Sequence, residues 1–343
     1  MSTLFADGRN RLIEGDCLAV MRRLPAATVD LIYVDPPFFT GRDRGRSRGA
    51  PPAAGAAADG PPGTSNMPGG VLAGPGPTFV DRWEGGLADY LGWLTPRLRE
   101  MHRLLRPTGS LFVHLDWHAV HYVKCALDGI FGYRRFRNQI VWHYGSGGRA
   151  RTFFPRKHDL ILWYTKSGRW IFNPQAVGTP RGRCPTCGAA RGRWNHLRRQ
   201  VEADGRVCRT IRSAGRLYRY YDDELALPPD VWLDLSHLQQ RDSERLGYPT
   251  QKPEALLARI VGACSLPGQV VADFCCGSGT TLAVAQRLGR RWIGCDVSAA
   301  AVAITAERLG RLAAPARVSR RRPASAPPAD HRGYTVERWA DLA

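Results

Sequence analysis

Val270-Val271-Ala272-Asp273-Phe274-Cys275-Cys276-Gly277-Ser278-Gly279-Thr280-Thr281 is the stretch on which the reading of this chain turns. Residues 270–274 read as a strand. Two glycines follow. They let the backbone turn sharply and come close to a bound molecule. A helix is expected at Thr280–Leu288, a strand at Trp292–Asp296 and a further helix at Ala299–Leu309. Strand, glycine turn, helix, strand and terminal acid form a unit suited to a nucleoside-containing cofactor, with Asp296 placed to accept hydrogen bonds from ribose hydroxyls. The alternative is a tight strand-to-helix turn that holds nothing.

Working outward, a helix is expected at Pro253–Ala263, with proline in its first turn. Near the start of the chain, residues 11–16 read as a strand, Cys17–Leu24 as a helix and Val29–Val34 as a strand ending in Asp35. Leu87, Leu91, Leu94, Leu98, Met101 and Leu105 repeat at helical spacing. A turn at Pro107-Thr108-Gly109 then leads into a buried strand, Leu111–Leu115. Gln139–Tyr144 and Asp159–Tyr164 read as a hairpin. Alternating strands and helices imply an α/β fold with a doubly wound, mostly parallel sheet, whose ligands sit at the carboxyl ends of strands. Three of those ends carry acids: Asp35, Asp116 and Asp296.

The 343 residues are 43% hydrophobic, enough for one large core with a smaller appended region. The formal net charge of +19 favours a polyanionic partner, although much of it reflects an arginine-rich composition. No apolar stretch is long enough to span a bilayer, and no export signal opens the sequence. The nine cysteines, such as Cys125 and Cys264 inside apolar runs, read as reduced thiols. Together these point to a cytoplasmic protein. Residues 41–78 are rich in Gly, Pro, Ala and Arg and read as a flexible loop; an insertion that orders over a polyanion is the alternative. Residues 175–245 are polar, weakly periodic and crowded with arginine, with Trp194, Tyr218, Tyr220 and Tyr221 interleaved. Residues 313–343 read as a basic, disordered tail with a candidate ordered piece at Tyr334–Leu342.

Asp35-Pro36-Pro37-Phe38 carries the sharpest chemistry. An exocyclic amine on a nucleobase is a poor nucleophile, because its lone pair is delocalised into the ring. Acceptors for both of its N–H groups would let that lone pair point at an electrophile. The Asp35 carboxylate offers one acceptor, and a rigid prolyl backbone can aim the Pro36 carbonyl as a second. Phe38 offers a flat face for a base that has left the duplex. A turn capping a strand is the alternative. Cys184-Pro185-Thr186-Cys187 is a knuckle of the kind that forms half a zinc site, with His196 and Cys208 nearest. Two free thiols in a turn are the alternative. His114, His118 and His121 are assigned no role.

With Asp35–Phe38 first and Gly277–Gly279 late, the chain resembles the permuted beta class of DNA amino-methyltransferases, which place a (D/S)PP(Y/F/W) motif before the FxGxG-type motif. The resemblance covers roughly 9–40, 80–172 and 233–310. It implies a seven-stranded, Rossmann-like methyltransferase sheet with an inserted recognition region, S-adenosylmethionine as methyl donor and double-stranded DNA as substrate. It makes Asp35, Pro36, Pro37 and Phe38 catalytic. It implies donor contacts from Asp16 in Gly15-Asp16, from Thr250, Gln251 and Lys252 in Gly247–Pro253, and from Asp273, Gly277, Gly279 and Asp296. The family often has DPF where this chain has Asp273-Phe274-Cys275, so the aromatic stands one place early. The expected division is 9–40 with 79–174 as the catalytic part, 41–78 as the loop, 175–245 as target recognition, 246–312 as the donor-binding part and 313–343 as the tail. Asp-Pro-Pro leans towards N6 of adenine. N4 of cytosine, a silent DNA-binding module and an RNA substrate are the rivals. A nucleoid-associated bacterial protein is expected, with a second copy of the chain and a cognate restriction endonuclease as candidate partners.

Overall fold

The computed structural model describes residues 9–41, 81–145, 150–181, 197–313 and 333–338. The first part of the chain runs β1 (Asn10–Glu14), α1 (Cys17–Arg23), β2 (Val29–Val34), α2 (Gly86–Leu104), β3 (Leu105–Leu115), α3 (Val120–Phe131), β4 (Phe136–His143) and β5 (His158–Thr165). A region of short strands follows: β6 (Thr179–Pro180), β7 (Arg198–Val201), β8 (Val207–Ser213), β9 (Arg216–Tyr221), β10 (Leu225–Ala226) and β11 (Val231–Trp232). The chain then returns to α/β order through α4 (Glu254–Cys264), β12 (Val270–Asp273), α5 (Thr280–Arg287), β13 (Arg291–Asp296), α6 (Ala299–Ala313) and β14 (Tyr334–Arg338).

The main sheet has the strand order β11-β4-β5-β3-β2-β12-β13-β1-β14. Only β5 runs against its neighbours. Every position of β2 is buried. Its alternating residues supply two cores: Ile32 and Val34 join α1, α2 and α3 on one face, and Leu31 and Tyr33 join α4, α5 and α6 on the other. Asp30 is the exception in this strand. Its buried carboxylate accepts the Val270 N–H at 2.9 Å and so ties β2 to the start of β12.

Three expectations need correction. The sheet has nine strands among the described residues, not seven. Both additional strands lie at edges. Trp232 of β11 packs under Arg259, whose guanidinium carbon lies 4.9 Å from the ring centroid. β14 lies in the segment expected to be a disordered tail, at the start of its candidate ordered piece, Tyr334–Leu342. It pairs in parallel with β1, stacks Tyr334 on Trp292 at 5.3 Å between centroids, and donates the Tyr334 hydroxyl to the Ala306 carbonyl at 2.8 Å. Finally, Pro107-Thr108-Gly109 is not a turn ahead of a strand. It is an irregularity within the longer β3, where the register against β2 slips between Val29 and Leu31.

The 175–245 region holds a three-stranded antiparallel sheet, β7-β8-β9. Ala214 and Gly215 join β8 to β9 with positive φ angles of 48° and 76°, the geometry of a two-residue hairpin turn. Arg209 pairs with Asp222 and Arg206 with Asp223, so these two arginines brace the sheet itself. Arg198, Arg199, Arg212, Arg216 and Arg219 are exposed. Cys208 is buried and donates to Glu202 Oε1 at 3.2 Å. Cys184, Cys187 and His196 lie outside the described residues, as do positions 42–78 of the loop. No helix among the described residues is long and apolar enough to cross a membrane.

The docking of β14 is testable. Tyr334→Ala removes a buried ring and its hydroxyl bond, and is expected to cost about 3 kcal/mol in denaturant unfolding. An unchanged midpoint would show that this edge strand adds nothing to the core.

Candidate active site

β3, β2, β12, β13 and β1 lie side by side and run in parallel. Their carboxyl ends deliver Asp116, Asp35, Asp273, Asp296 and Asp16 to one edge of the sheet. From β2 the chain proceeds to β3 on one side. From β12 it proceeds to β13 on the other. The crevice between β2 and β12 is thus the topological switch point, where doubly wound sheets bind ligands. A cavity of about 280 Å³ opens there. It is lined by Asp16, by Asp35 to Phe38, by Thr250 to Lys252, and by Asp273, Gly277 and Asp296. Eleven of the twelve residues singled out for catalysis and donor contact therefore share one wall. Gly279 is the exception.

Gly279 instead shapes the turn. It caps α5 at φ +71°, and a Cβ there would lie 2.5 Å from Thr305 Cγ2. Gly277 borders the cavity at φ +51°, where a Cβ would come within 3.0 Å of the Tyr248 ring. Its N–H donates to Asp296 Oδ2 at 2.8 Å, while Asp296 Oδ1 accepts the Ser298 N–H at 2.9 Å. The two backbone donors fix the Asp296 carboxylate at the cavity wall. Burial holds its carboxyl above the usual range. Asp273 is deeper. It accepts from Thr281 Oγ1 at 2.6 Å and from the Cys275 N–H at 3.1 Å. Burial, reinforced by Asp35 and Asp296, pushes its carboxyl up to about 7 despite those two hydrogen bonds. Phe274, the early aromatic, is buried and borders the cavity.

Asp16 caps α1, accepting the Ala19 N–H at 3.0 Å, and pairs with Arg97 at 2.5 Å. Gln251 clips its own loop, with Oε1 accepting from Leu246 N–H at 2.9 Å and Nε2 donating to the Glu244 carbonyl at 2.7 Å. Thr250 adopts φ +63°. The Lys252 side chain does not turn towards the glycine end of the cavity. Its ammonium pairs with Asp35 Oδ2 and lies 5.1 Å from the Phe38 ring centroid.

That pairing leaves Asp35 Oδ1 buried and without a hydrogen-bond partner. A buried acceptor without a partner is costly to maintain and calls for a functional reason. Beside it, the Tyr90 hydroxyl donates to the Pro37 carbonyl at 2.9 Å, which fixes the prolyl turn. Phe38 stacks on His114 with centroids 5.9 Å apart and planes 17° from parallel.

Sequence reasoning missed two supports of this turn. Asp81 is buried and accepts from Phe39 N–H at 2.9 Å, Thr40 N–H at 2.7 Å, Thr40 Oγ1 at 2.7 Å and Trp83 Nε1 at 3.1 Å. It holds Phe39 at φ +61°, a conformation rarely adopted by a bulky residue. Behind Phe38, His114 is fully buried. Its Nδ1 meets the Tyr33 hydroxyl at 2.7 Å and its Nε2 meets Asp159 Oδ2 at 3.1 Å. Burial alone would raise the Asp159 carboxyl. Hydrogen bonds from His114 and Tyr144 and the charge of Lys252 outweigh it, and the group titrates below its ordinary value. Asp81 stands alone at the far end of a patternless loop, and nothing in the sequence marks it. His114 carried one signal, a titratable residue in the middle of a fully apolar strand.

The comparisons bear on this arrangement. The family profile described as DNA methylase, of the N6/N4 methyltransferases, matches residues 29–307. DNA adenine methyltransferase YhdJ of Escherichia coli (strain K12) is 26% identical over 309 residues, which cover 90% of this chain and 85% of that protein. Type II methyltransferase M.HpaI of Haemophilus parainfluenzae is 25% identical over 300 residues, 87% of this chain and 74% of that protein. Among solved structures, the cytosine-N4-specific PvuII DNA methyltransferase aligns with a TM-score of 0.53 at 16% identity, covering 87% of this chain and 86% of that one, a likeness of fold. The profile match runs from β2 into α6 and takes in both the prolyl turn and the glycine turn, so the chain belongs to the DNA methylase family.

Proposed function

We propose that this DNA methylase transfers a methyl group from S-adenosylmethionine to the N6 amino group of adenine in duplex DNA. The single observation that carries the chemistry is the partnerless Asp35 Oδ1 at the end of β2. Lys252 holds the other carboxylate oxygen, so Oδ1 is presented in one fixed direction. Tyr90 occupies the Pro37 carbonyl, and no hydrogen bond reaches the Pro36 carbonyl among the described residues. Asp35 Oδ1 and the Pro36 carbonyl thus form a pair of acceptors for the two N–H groups of one amine. Hydrogen bonding to both withdraws the nitrogen lone pair from ring conjugation. Phe38, backed by His114, is the face on which the flipped base stacks. The methylated amine is a strong acid until it loses a proton, and Asp35 Oδ1 is the base placed to take it.

The donor supplies an electrophilic methyl carbon on a positively charged sulfur. The cavity fits such a cation. Asp16, Asp35, Asp81, Asp273 and Asp296 line it against one Lys252, in a chain whose formal net charge is +19. Asp296 retains lone pairs for ribose hydroxyls, and Tyr248 lies against Gly277 as a flat wall. The adenine assignment rests on the name of YhdJ and on Asp rather than Ser before the two prolines. The β7-β8-β9 sheet, with five exposed arginines and the exposed Tyr218, is the surface we assign to target recognition.

Three outcomes are expected. Asp35→Ala lowers methyl transfer to plasmid DNA about 100-fold or more while calorimetry still registers donor binding. Nucleoside mass spectrometry of the wild-type product shows N6-methyladenine; N4-methylcytosine in its place would overturn the base assignment. The third concerns pH. Asp273 is held near 7 in the ligand-free pocket. A cationic ligand favours its ionised form, so the bound state has the lower pKa and binding releases a proton. Donor affinity should therefore rise as pH increases from about 6 to about 8. S-adenosylhomocysteine, whose sulfur is neutral, should show a shallower slope. Calorimetry in buffers of different ionisation enthalpy counts the proton, and equal slopes for the two ligands would contradict the assignment.

A further inference from the structure

Beside the active-site edge stands an aromatic surface that the chemistry above does not use. β5 runs antiparallel to β3, with Leu160 opposite Leu115. The loop that joins β4 to β5 therefore projects from the same edge as the carboxyl ends of β3 and β2. Its base is closed by the Tyr144 N–H donating to the Lys157 carbonyl at 3.0 Å. Within it, Phe154 is 93% exposed and Phe153 56% exposed. Trp117, just past the end of β3, is 41% exposed.

These rings are not loosely arranged. The Arg156 guanidinium carbon lies 3.7 Å from the Trp117 ring centroid and 4.7 Å from that of Phe153. Trp117 in turn packs on His118 at 3.7 Å, and Asp116 holds His118 through its Nδ1 at 2.6 Å. A braced stack of ring, cation, ring and ring thus ties the loop to the strand next to β2. Phe154 is left pointing into solvent beside it. β5 is two strands from β2, so the loop springs from the sheet about 10 Å from Asp35.

We propose that Phe154 is a wedge that enters the base stack of duplex DNA and occupies the space vacated by the target base, with the stack of Phe153, Arg156 and Trp117 bracing the loop that carries it. This rests on the methyltransferase reading above and extends it. An exposed apolar ring has little to gain in water, but it gains stacking partners between base pairs, where apolar side chains unstack a step and kink the duplex. A phosphate contact needs charge and not a ring, so Phe154 itself has no part in simple electrostatic docking. Extruding a base costs the loss of its pairing and stacking, and a residue that fills the gap offsets that cost. The proposal assigns Phe154 to the flipping step and not to chemistry, so it is a positioning residue.

The test uses the full chain and an oligonucleotide duplex carrying the sequence context found by methylation-aware sequencing. Phe154→Ala is expected to slow methylation of the matched duplex about 10-fold or more, yet to act within about 2-fold of wild type on the same strand with its target base opposite an abasic site, where unpairing is already done. Phe154→Leu, which keeps an apolar wedge, should recover most of the matched-duplex rate. With 2-aminopurine at the target position and a non-reactive donor analogue, the fluorescence rise of wild type should be largely lost in Phe154→Ala. Equal rates for wild type and Phe154→Ala on the matched duplex would overturn the wedge. So would an equal loss on both duplexes, which would mark Phe154 as a general binding residue. A wild-type protein that methylates no DNA at all would overturn the reading on which the wedge rests.

Discussion

The ion pair between Lys252 and Asp35 joins the two parts of the sequence that carry the chemistry. The partners lie 217 residues apart, one at the end of β2 and the other just before α4. The pair neutralises a half-buried acid in a pocket that already holds several carboxylates. It also consumes one oxygen of Asp35 and leaves the other unpaired. A lysine held this way makes Asp35 a directional acceptor and not a freely rotating one. Its ammonium lies 5.1 Å from the Phe38 ring as well, so one side chain orients both the acceptor and the stacking face. Removing either partner would leave the other charge buried and uncompensated.

The order of strands explains why acids gather at this edge. The chain lays down β1, β2 and β3 first and inserts β12 and β13 between β1 and β2 much later. A parallel sheet aligns all five carboxyl ends, so an acid at or just past each strand end stands on one edge, and four of the five, Asp16, Asp35, Asp273 and Asp296, line the cavity. The cost is mutual repulsion, which contributes to the raised carboxyl of Asp273. The compensation is local: backbone N–H groups on Asp296, a hydroxyl and an N–H on Asp273, a cap and Arg97 on Asp16, and Lys252 on Asp35. A basic surface around an acidic cavity also separates two tasks. The outside attracts a polyanion, and the inside receives a cation.

Much of this was legible in the sequence because it depends on short-range pattern. Apolar runs announced β2, β12 and β13, and the glycine spacing announced the turn before α5. The acids could be placed together once a parallel sheet was inferred, since register is not needed to align strand ends. Features that depend on long-range pairing were not legible. Asp81 acts on Phe39 and Thr40 across a long intervening segment, and it shows no periodicity of its own. β7 to β9 are mostly exposed, so they lack the alternation that reveals a strand. β14 was legible only as an ordered piece beginning at Tyr334; its pairing with β1 was not. The motif before α4 gave no sign of one contact, the pairing of Lys252 with Asp35 across the cavity.

The strain in the site follows the same logic as its chemistry. Phe39 and Thr250 both adopt positive φ without being glycine, and both flank the cavity. Such conformations persist only where the surroundings over-determine them. Asp81 does so for Phe39 by accepting from both Phe39 and Thr40. The prolyl turn is thus held by four side chains from outside the motif: Asp81 below Phe39, Tyr90 on the Pro37 carbonyl, Lys252 on Asp35 and His114 behind Phe38. Four consecutive residues supply the groups proposed to react, but their geometry belongs to these four. A chain with the same motif and without them would possess the chemistry in name and lack the fixed direction on which it depends.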